Sequence, residues 1–348
     1  MNLFDKANQL ETPISDLGEF KLIKHLTSKF TSDNKSTVLG IGDDAAIIDA
    51  GAKHHLLSTD MLVEGIHFNL TYTPLKHLGY KSVAVNVSDV YAMNGAPRQL
   101  TISIAVSNRF GVESLEEFYE GVKIACKDYG VDLVGGDTTS SKSGLIISVS
   151  VLGEVDKKKI TYRSGAKVND LLVCTGDLGA AYLGLQLLRR ENDIFQNNPK
   201  SQPDLEGHDY ILQRQLRPTA AKKYIEILQK LKILPTSMID ISDGLSSEAL
   251  HIAGSSCVGI SIYEEKIPID YTVMNTSEEF KLNPIFCALN GGEDYELLFT
   301  IKQKDYTKIE KDPDFTIIGH VTEKSAGNNF INKTGGVQPL VAQGWKSI

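Results

Sequence analysis

The sequence contains few cysteines, and they form no pattern. Only four occur in 348 residues, and none of them belongs to a C-x-x-C pair, so the sequence predicts no disulfide framework. Cys126, Cys174 and Cys287 stand in apolar stretches and are expected to be buried thiols. This usage fits a reducing compartment, and we expect a cytoplasmic protein.

Several familiar signatures are also missing. The chain has neither the G-x-x-x-x-G-K-[ST] loop nor the G-x-G-x-x-G fingerprint, which disfavours the common nucleotide-binding folds. Residues 1–6 do not lead from a basic segment into an apolar one, so no signal peptide is expected. No apolar run approaches membrane-spanning length, and we expect no association with a membrane.

Positive charge is in deficit. Lys and Arg number 36 against 44 Asp and Glu, which gives a formal net charge of −8. This balance argues against a partner nucleic acid, which would be held through its phosphates by Lys and Arg. It does not argue against small phosphate ligands, because a bound divalent cation reverses the local sign of the charge.

Short aspartate motifs are what the sequence does contain. Most of them follow an apolar run, and almost no His or Cys accompanies them. One such aspartate is more often a turn residue or a helix N-cap than a ligand, but a set with only oxygen ligands suits Mg²⁺ rather than zinc. The neighbouring Gly, Ser and Thr suit the approach of phosphate, so the set indicates Mg-nucleotide chemistry. The five motifs are Gly42-Asp43-Asp44, Ser58-Thr59-Asp60, Ser88-Asp89, Gly135-Gly136-Asp137 and Asp240-Ile241-Ser242-Asp243-Gly244.

Three further features have two interpretations each. The segment 291–297, Gly-Gly-Glu-Asp-Tyr-Glu-Leu, is either a loop that enters a strand or a site for a polar or cationic ligand. His67 is either a structural histidine or a ligand-binding one. Trp345 is the only tryptophan, and it either packs on the surface or stacks on a ring.

The alternation of strand-like and helix-like segments predicts an α/β (α+β) protein. A chain of 348 residues favours two domains, and a charged connector near 153–160 places them at 1–155 and 156–348. The polar stretch 191–209 is predicted to be a surface excursion. Helices are predicted at about 20–30 and at 78–93, 115–129, 180–190, 219–231 and 245–253, and strands at 38–41, 55–58, 100–106, 131–134, 145–152, 170–175, 238–241, 258–263, 296–301 and 316–321.

The acidic motifs, together with Thr161-Tyr162-Arg163-Ser164-Gly165-Ala166 and the 291–297 segment, resemble the thiamine-monophosphate kinase family in order and spacing from about Gly18 to Trp345. That family belongs to the aminoimidazole-ribonucleotide-synthetase-like superfamily. The resemblance implies an N-terminal sheet that forms a barrel across a homodimer and a C-terminal α/β sandwich. It also implies the last step of thiamine diphosphate biosynthesis, in which ATP phosphorylates thiamine monophosphate.

The resemblance also assigns roles to residues. Transfer would be direct and in line, with several Mg²⁺ ions and no general base, because the acceptor phosphate is already largely ionised at pH 7. Asp43 would support the site. By resemblance, Mg²⁺ would be held by Asp44, Ser58, Thr59, Asp60, Asp89, Asp137, Asp240 and Asp243, ATP by Gly136, Asp137, Arg163 and Ser242, and thiamine phosphate by His67, Glu293 and Trp345.

Related families fit the sequence less well. Selenophosphate synthetase normally carries a reactive Cys near its N-terminus, but the first Cys here is Cys126. The hydrogenase-maturation relative ends in a functional Cys, whereas this chain ends in Ile348. Aminoimidazole ribonucleotide synthetase would not explain the 291–297 segment, and a non-catalytic descendant would have lost several acids. A metal-dependent phosphatase is an alternative that the sequence leaves open. Its product, free phosphate, would distinguish it from a kinase.

Overall fold

Two β-sheets organise the part of the chain that the computed structural model describes, which is Lys24 and residues 35–343. The first sheet has six strands in the order β1-β2-β3-β6-β4-β5, all antiparallel except the β4–β5 pair. Its strands are β1 (Thr37–Leu39), β2 (Ala46–Asp49), β3 (Lys53–Val63), β4 (Ala96–Val106), β5 (Asp132–Ser140) and β6 (Leu145–Asp156).

The second sheet has seven strands in the order β13-β12-β9-β11-β7-β10-β8, and only β12 and β9 run parallel. The predicted mixed α/β architecture is therefore confirmed. The strands are β7 (Leu171–Thr175), β8 (Ser237–Asp240), β9 (Gly259–Tyr263), β10 (Leu297–Ile301), β11 (Phe315–Thr322), β12 (Asn328–Ile331) and β13 (Val337–Pro339).

The helices pack beside these sheets. Within residues 35–343, none of them combines the length and the apolar character needed to cross a bilayer. The helices are α1 (Leu75–Ala92), α2 (Val112–Tyr129), α3 (Ala180–Asn197), α4 (Asp209–Leu216), α5 (Lys222–Lys230), α6 (Leu245–Ser256), α7 (Tyr271–Glu279), α8 (Pro284–Asn290) and α9 (Tyr306–Ile309).

Helix α1 is buried along almost its whole length. Val83, Val87 and Val90 are fully buried, and so are their polar neighbours Ser82 and Ser88. The helix has no solvent face because β3, β4 and β6 contact it from one sheet and β8 from the other. A helix that is apolar on all sides is expected in such a position. Helix α1 therefore joins the two halves of the molecule.

Helices α1 and α2 cross at two glycines. A Cβ added at Gly121 would lie 1.9 Å from the carbonyl oxygen of Lys76, and one added at Gly79 would lie 1.9 Å from that of Phe118. Contacts this short involve backbone that cannot move aside. The two helix backbones therefore approach closely only because both positions lack a side chain.

The outer face of the six-stranded sheet is uncovered in the described chain. Leu57 and Met61 alternate with inward-facing Leu56 and Leu62 along β3, and they are 42% and 54% exposed. The sheet is open, with β1 and β5 at its edges, so no closed barrel forms within residues 35–343. The barrel shared between two subunits stays a prediction.

Several local expectations need correction. Strand β5 was expected to end before Gly135, but it continues to Ser140 and contains the Gly135-Gly136-Asp137 motif, because pairing with β4 extends along it. The helix predicted at 180–190 is longer than expected, since α3 continues to Asn197. The irregular part of the predicted surface excursion therefore begins after that residue. Cys174 and Cys287 are buried as expected, whereas Cys126 is half-buried. The helix expected at about 20–30 falls outside the described residues, apart from Lys24.

We expect Gly121→Ala to lower the free energy of unfolding by about 1–3 kcal/mol, because the added methyl group forces α1 and α2 apart. Gly254→Ala is the matched control. This glycine also lies in a helix, α6, but an added Cβ there meets nothing within 4 Å, so the control should be unchanged or up to about 1 kcal/mol more stable. Denaturant unfolding measures both variants. Equal stability of the two would contradict the close crossing.

Candidate functional site

A cavity of about 1150 Å³ lies between the two sheets. Strand β3 and helix α1 line it on one side, and α3, α4, residues 240–243 and residues 290–295 line it on the other. The antiparallel pairing of β8 with β10 sets Asp240 opposite Leu297. The segment after β8 and the segment before β10 therefore reach the cavity side by side.

An acidic cluster lies at this junction. Asp44 comes from the connection between β1 and β2, Asp89 from the last turns of α1, and Asp240 from the end of β8. One carboxylate oxygen from each lies within 4.8 Å of the others. Three aspartates from separate motifs, predicted to act together, are thus brought together by the fold.

Hydrogen bonds hold these carboxylates in place. The hydroxyl of Ser88 donates to Asp240 Oδ2 at 2.6 Å, which ties α1 to the end of β8. The hydroxyl of Ser58 donates to Asp89 Oδ2. Arg163 Nη2 lies 2.8 Å from Asp44 Oδ1. Each acid of the cluster therefore has one fixed oxygen.

Asp43 occupies a supporting position beside the cluster. Its carboxylate accepts the backbone N–H of Asp44 at 2.9 Å and that of Arg163 at 3.1 Å. These bonds tie together the two chain segments that carry the Arg163–Asp44 ion pair. The contacts match the supporting role expected for Asp43.

Burial and the crowding of like charges disfavour full ionisation of the cluster. Burial raises the pKa of Asp44 to about 8, although the Arg163 guanidinium opposes the shift. Burial also raises the pKa of Asp89 well above its usual range, and the charges of Asp60, Asp240 and Asp44 add to that rise. Asp44 Oδ2 is buried without a hydrogen-bond partner. An oxygen ligand left over in a crowded group of carboxylates is what a hard divalent cation requires.

The Ser58-Thr59-Asp60 motif lies in strand β3, where successive side chains point to opposite faces of the sheet. Ser58 and Asp60 point toward α1, where the backbone N–H of Asp60 donates to Asn86 Oδ1 at 3.1 Å. Thr59 points the other way, and its hydroxyl donates to the carbonyl of Val149 at 3.0 Å. The structure does not bring the Thr59 hydroxyl to the cluster.

The structure places Gly136 and Asp137 away from the cluster. The strand register puts Asp137 in one row with Ser103, Ser148 and Met61, on the outer face of the sheet. Gly136 and Asp137 border a separate depression of about 350 Å³, which Tyr119 also lines. The predicted roles of these two residues stay predictions.

Two of the predicted substrate residues, His67 and Glu293, line the cavity. His67, in the turn after β3, lines it, and its Nδ1 accepts the backbone N–H of Val63 at 3.0 Å. Ser242 and Asp243 line the floor. Trp345 falls outside the described residues, which reach the cavity with Gln343, whose N–H donates to Asn290 Oδ1 at 2.7 Å.

Glu293 stands on a backbone of unusual shape. Its φ is 59°, and that of Tyr295 is 52°, a region that non-glycine residues seldom adopt. The N–H of Glu293 donates to the carbonyl of Ser242 at 2.7 Å, which joins this loop to the Asp240–Gly244 segment. Strained backbone of this kind persists only where the surroundings impose it, and it clusters at functional sites.

A buried ionic network supports this loop from behind. Arg214 Nη1 lies 2.7 Å from Glu296 Oε1, and Nη2 lies 3.6 Å from Asp294 Oδ1. Asp294 Oδ2 also accepts the N–H of Gly179 at 2.9 Å, at the start of α3. Burial raises the pKa of Asp294 to about 7 despite the guanidinium. The residues on both sides of Tyr295 are therefore fixed.

The sequence did not indicate three of the residues that shape this site. Arg214 and Gln215 lie in α4, within a stretch that carries no recognisable motif. Lys81 lies in the apolar helix α1, and it lines the same cavity as Asp89. The available signal for Lys81 was its spacing from Asp89, because positions eight apart lie within one broad face of a helix.

Comparisons with known proteins agree with these features. The family model "AIR synthase related protein, N-terminal domain" matches residues 42–155. A relative from Bacillus subtilis (strain 168), named thiamine-monophosphate kinase, is 36% identical over 319 residues, which cover 89% of this chain and 93% of the relative. A relative from Aquifex aeolicus (strain VF5) with the same name is 37% identical over 333 residues, covering 96% and 99%. A solved structure described as "AaThiL complexed with AMPPCP and TMP" is 35% identical, with a TM-score of 0.82, and covers 98% of this chain and 100% of its own.

We expect Asp294→Asn to flatten part of the pH dependence of stability. The pKa of Asp294 is raised in the folded protein to about 7. The protonated carboxyl therefore stabilises the folded protein fully below its unfolded-state pKa of about 4, and this stabilisation is lost as the pH rises through 7. The free energy of unfolding of the wild type should therefore fall relative to that of the variant between about pH 4 and pH 7.

Denaturant unfolding at several pH values measures this difference. Glu116→Gln removes an exposed carboxylate from α2 and is the matched control, which should follow the wild type. A constant difference between Asp294→Asn and the wild type across this range would contradict the assignment.

Proposed function

Because the chain belongs to the thiamine-monophosphate kinase family, we propose that it transfers the γ-phosphoryl group of ATP to thiamine monophosphate, giving thiamine diphosphate and ADP. The observation that carries the proposal is the cavity between the sheets, which is lined by Asp89 and Asp240 of the acidic cluster and also by Glu293. A substrate with a phosphate at one end and a nitrogen heterocycle at the other needs such a pair of sites.

The acidic cluster fits Mg²⁺. Its ligands are all oxygens, they converge within 4.8 Å, and Asp44 Oδ2 has no other partner. Bound Mg²⁺ neutralises phosphate oxygens and so lets two polyanions meet. The proposed ligands of several ions are Asp44, Ser58, Thr59, Asp60, Asp89, Asp137, Asp240 and Asp243, of which Asp44, Asp89 and Asp240 form the cluster.

The residues of this chain have little proton chemistry to perform. The second pKa of a phosphate monoester is about 6, so the acceptor oxygen of thiamine monophosphate is largely ionised at pH 7 without a general base. What the protein must supply is position and charge. Glu293 would accept hydrogen bonds from the aminopyrimidine, His67 would contact the same substrate, and Trp345 would stack on the ring.

ATP would be held by a second group of residues. Arg163 offers a planar guanidinium beside Asp44, a geometry suited to two phosphate oxygens. Ser242 lines the cavity together with Asp240 of the acidic cluster. Gly136 and Asp137 complete the proposed set from β5, and Tyr119 borders the same depression. A cytoplasmic location, where ATP is available, is part of this proposal.

The proposal includes two domains and a homodimer. Residues 1–155 would supply Asp44, Asp60 and Asp89, and residues 156–348 would supply Asp240 and Glu293, so that neither domain is active alone. The exposed apolar side chains on the outer face of the first sheet, Leu57 and Met61 among them, support pairing of two such sheets into a shared barrel.

One assay tests the reaction. The protein is incubated with ATP, Mg²⁺ and thiamine monophosphate, and the products are separated. Thiamine diphosphate and ADP in equal amounts support the kinase, whereas free phosphate with unchanged thiamine monophosphate supports a phosphatase and contradicts it. Recovery of phosphorylated enzyme after ATP alone would contradict direct in-line transfer.

We expect Asp89→Asn to lower kcat by about 100-fold or more, because a metal ligand contributes several kcal/mol and each 1.4 kcal/mol is tenfold. Steady-state kinetics with varied Mg²⁺ measures the change, and thermal unfolding confirms that the variant folds. Glu116→Gln removes one negative charge elsewhere and should keep normal kinetics. Near-normal turnover of Asp89→Asn with an unchanged Mg²⁺ requirement would refute the metal role.

A further inference from the structure

A buried lysine faces the cavity from helix α1. The side chain of Lys81 is 3% exposed, and its ammonium lies 2.8 Å from Glu293 Oε1. The same ammonium donates to the backbone carbonyl of Gln215 at 3.2 Å. Burial of a lysine is expensive unless the charge is paired, so its position needs an explanation beyond packing.

Gln215 holds the other oxygen of the same carboxylate. Its Nε2 donates to Glu293 Oε2 at 2.8 Å, and Gln215 is only 6% exposed. A carboxylate can only accept hydrogen bonds, so the amide must turn its nitrogen toward Glu293. The two oxygens of Glu293 are thus held by two donors from two different helices, α1 and α4.

This arrangement is poorly explained by stability alone. A buried ion pair is often no more stabilising than apolar side chains of similar volume, and buried valines such as Val83 and Val85 follow Lys81 in α1. The pair also joins a backbone with positive φ at Glu293. What the contacts do achieve is one fixed orientation for a carboxylate that would otherwise sample several rotamers.

Helix α1 also fixes a distance. Lys81 and Asp89 are eight residues apart in the helix, which places them about 12 Å apart along its axis. Both line the cavity. One rigid element therefore sets the spacing between Asp89 of the acidic cluster and the lysine that holds Glu293.

We propose that Lys81, assisted by Gln215, is a positioning residue for substrate binding: it holds the Glu293 carboxylate oriented toward the heterocycle of thiamine monophosphate. The inference rests on the proposed function and goes beyond it, because it assigns a role to two residues without a recognised motif. Lys81 acts through Glu293 and does not contact the substrate phosphate.

The test compares Lys81→Met, Glu293→Gln and the double variant in steady-state kinetics. Lys81→Met should raise KM for thiamine monophosphate by about 10- to 100-fold, the effect of losing a charged hydrogen-bond partner. KM for ATP and kcat should stay within about twofold. In the Glu293→Gln background the same lysine substitution should change KM by less than about threefold.

Matched controls come from the same helices. Lys76→Met alters an exposed lysine of α1, and Gln213→Leu alters an exposed glutamine of α4. Both should leave every kinetic constant unchanged, whereas Gln215→Leu should raise KM for thiamine monophosphate in the same direction as Lys81→Met. If Lys81→Met does not fold, as judged by thermal unfolding, the cycle of Gln215→Leu with Glu293→Gln replaces it.

The outcomes separate the alternatives. An unchanged KM in Lys81→Met or its replacement overturns the proposal, and so does a loss confined to kcat or to ATP. An equal rise of KM with and without Glu293→Gln also overturns it, because it would mean direct contact of lysine with substrate. Failure of the wild type to form thiamine diphosphate would instead refute the proposed function.

Discussion

The site depends on the burial of helix α1 between the two sheets. A helix in that position must be apolar on almost every side, so each polar group it carries needs a partner. Ser88 donates a hydrogen bond to Asp240, and Lys81 forms an ion pair with Glu293. Both partners belong to the second half of the chain. The pairing of a few buried polar groups therefore fixes how the two halves meet, and the same groups line the cavity.

The second sheet brings its share of the site together through one strand pair. Because β8 and β10 are antiparallel neighbours, the segment that leaves β8 and the segment that enters β10 meet at one edge. Backbone bonds from Glu293 to Ser242 and from Tyr295 to Ile241 then lock the two segments. Arg214 stabilises the arrangement from the buried side. The strained backbone at Glu293 is thus supported by contacts within the fold.

The sequence predicted the acidic cluster because its members stand in short local motifs, and the motifs of Asp44 and Asp240 follow apolar runs. Strand periodicity could also have separated Thr59 from Ser58 and Asp60, had β3 been predicted at its full length. The extension of β5 through Gly135 and Gly136 was not predictable, because glycine weakens a strand and only pairing with β4 imposes it. The roles of Lys81 and Gln215 could not be predicted, because both depend on contacts with Glu293, which is distant in the sequence.

The most direct test of this account is a crystal structure with Mn²⁺ in place of Mg²⁺, a non-hydrolysable ATP analogue and thiamine monophosphate. Mn²⁺ prefers similar oxygen ligands, and its anomalous scattering locates it. The account predicts metal peaks among Asp44, Asp89 and Asp240, with the substrate heterocycle against Glu293. Metal peaks elsewhere, or a heterocycle bound away from Glu293, would contradict it.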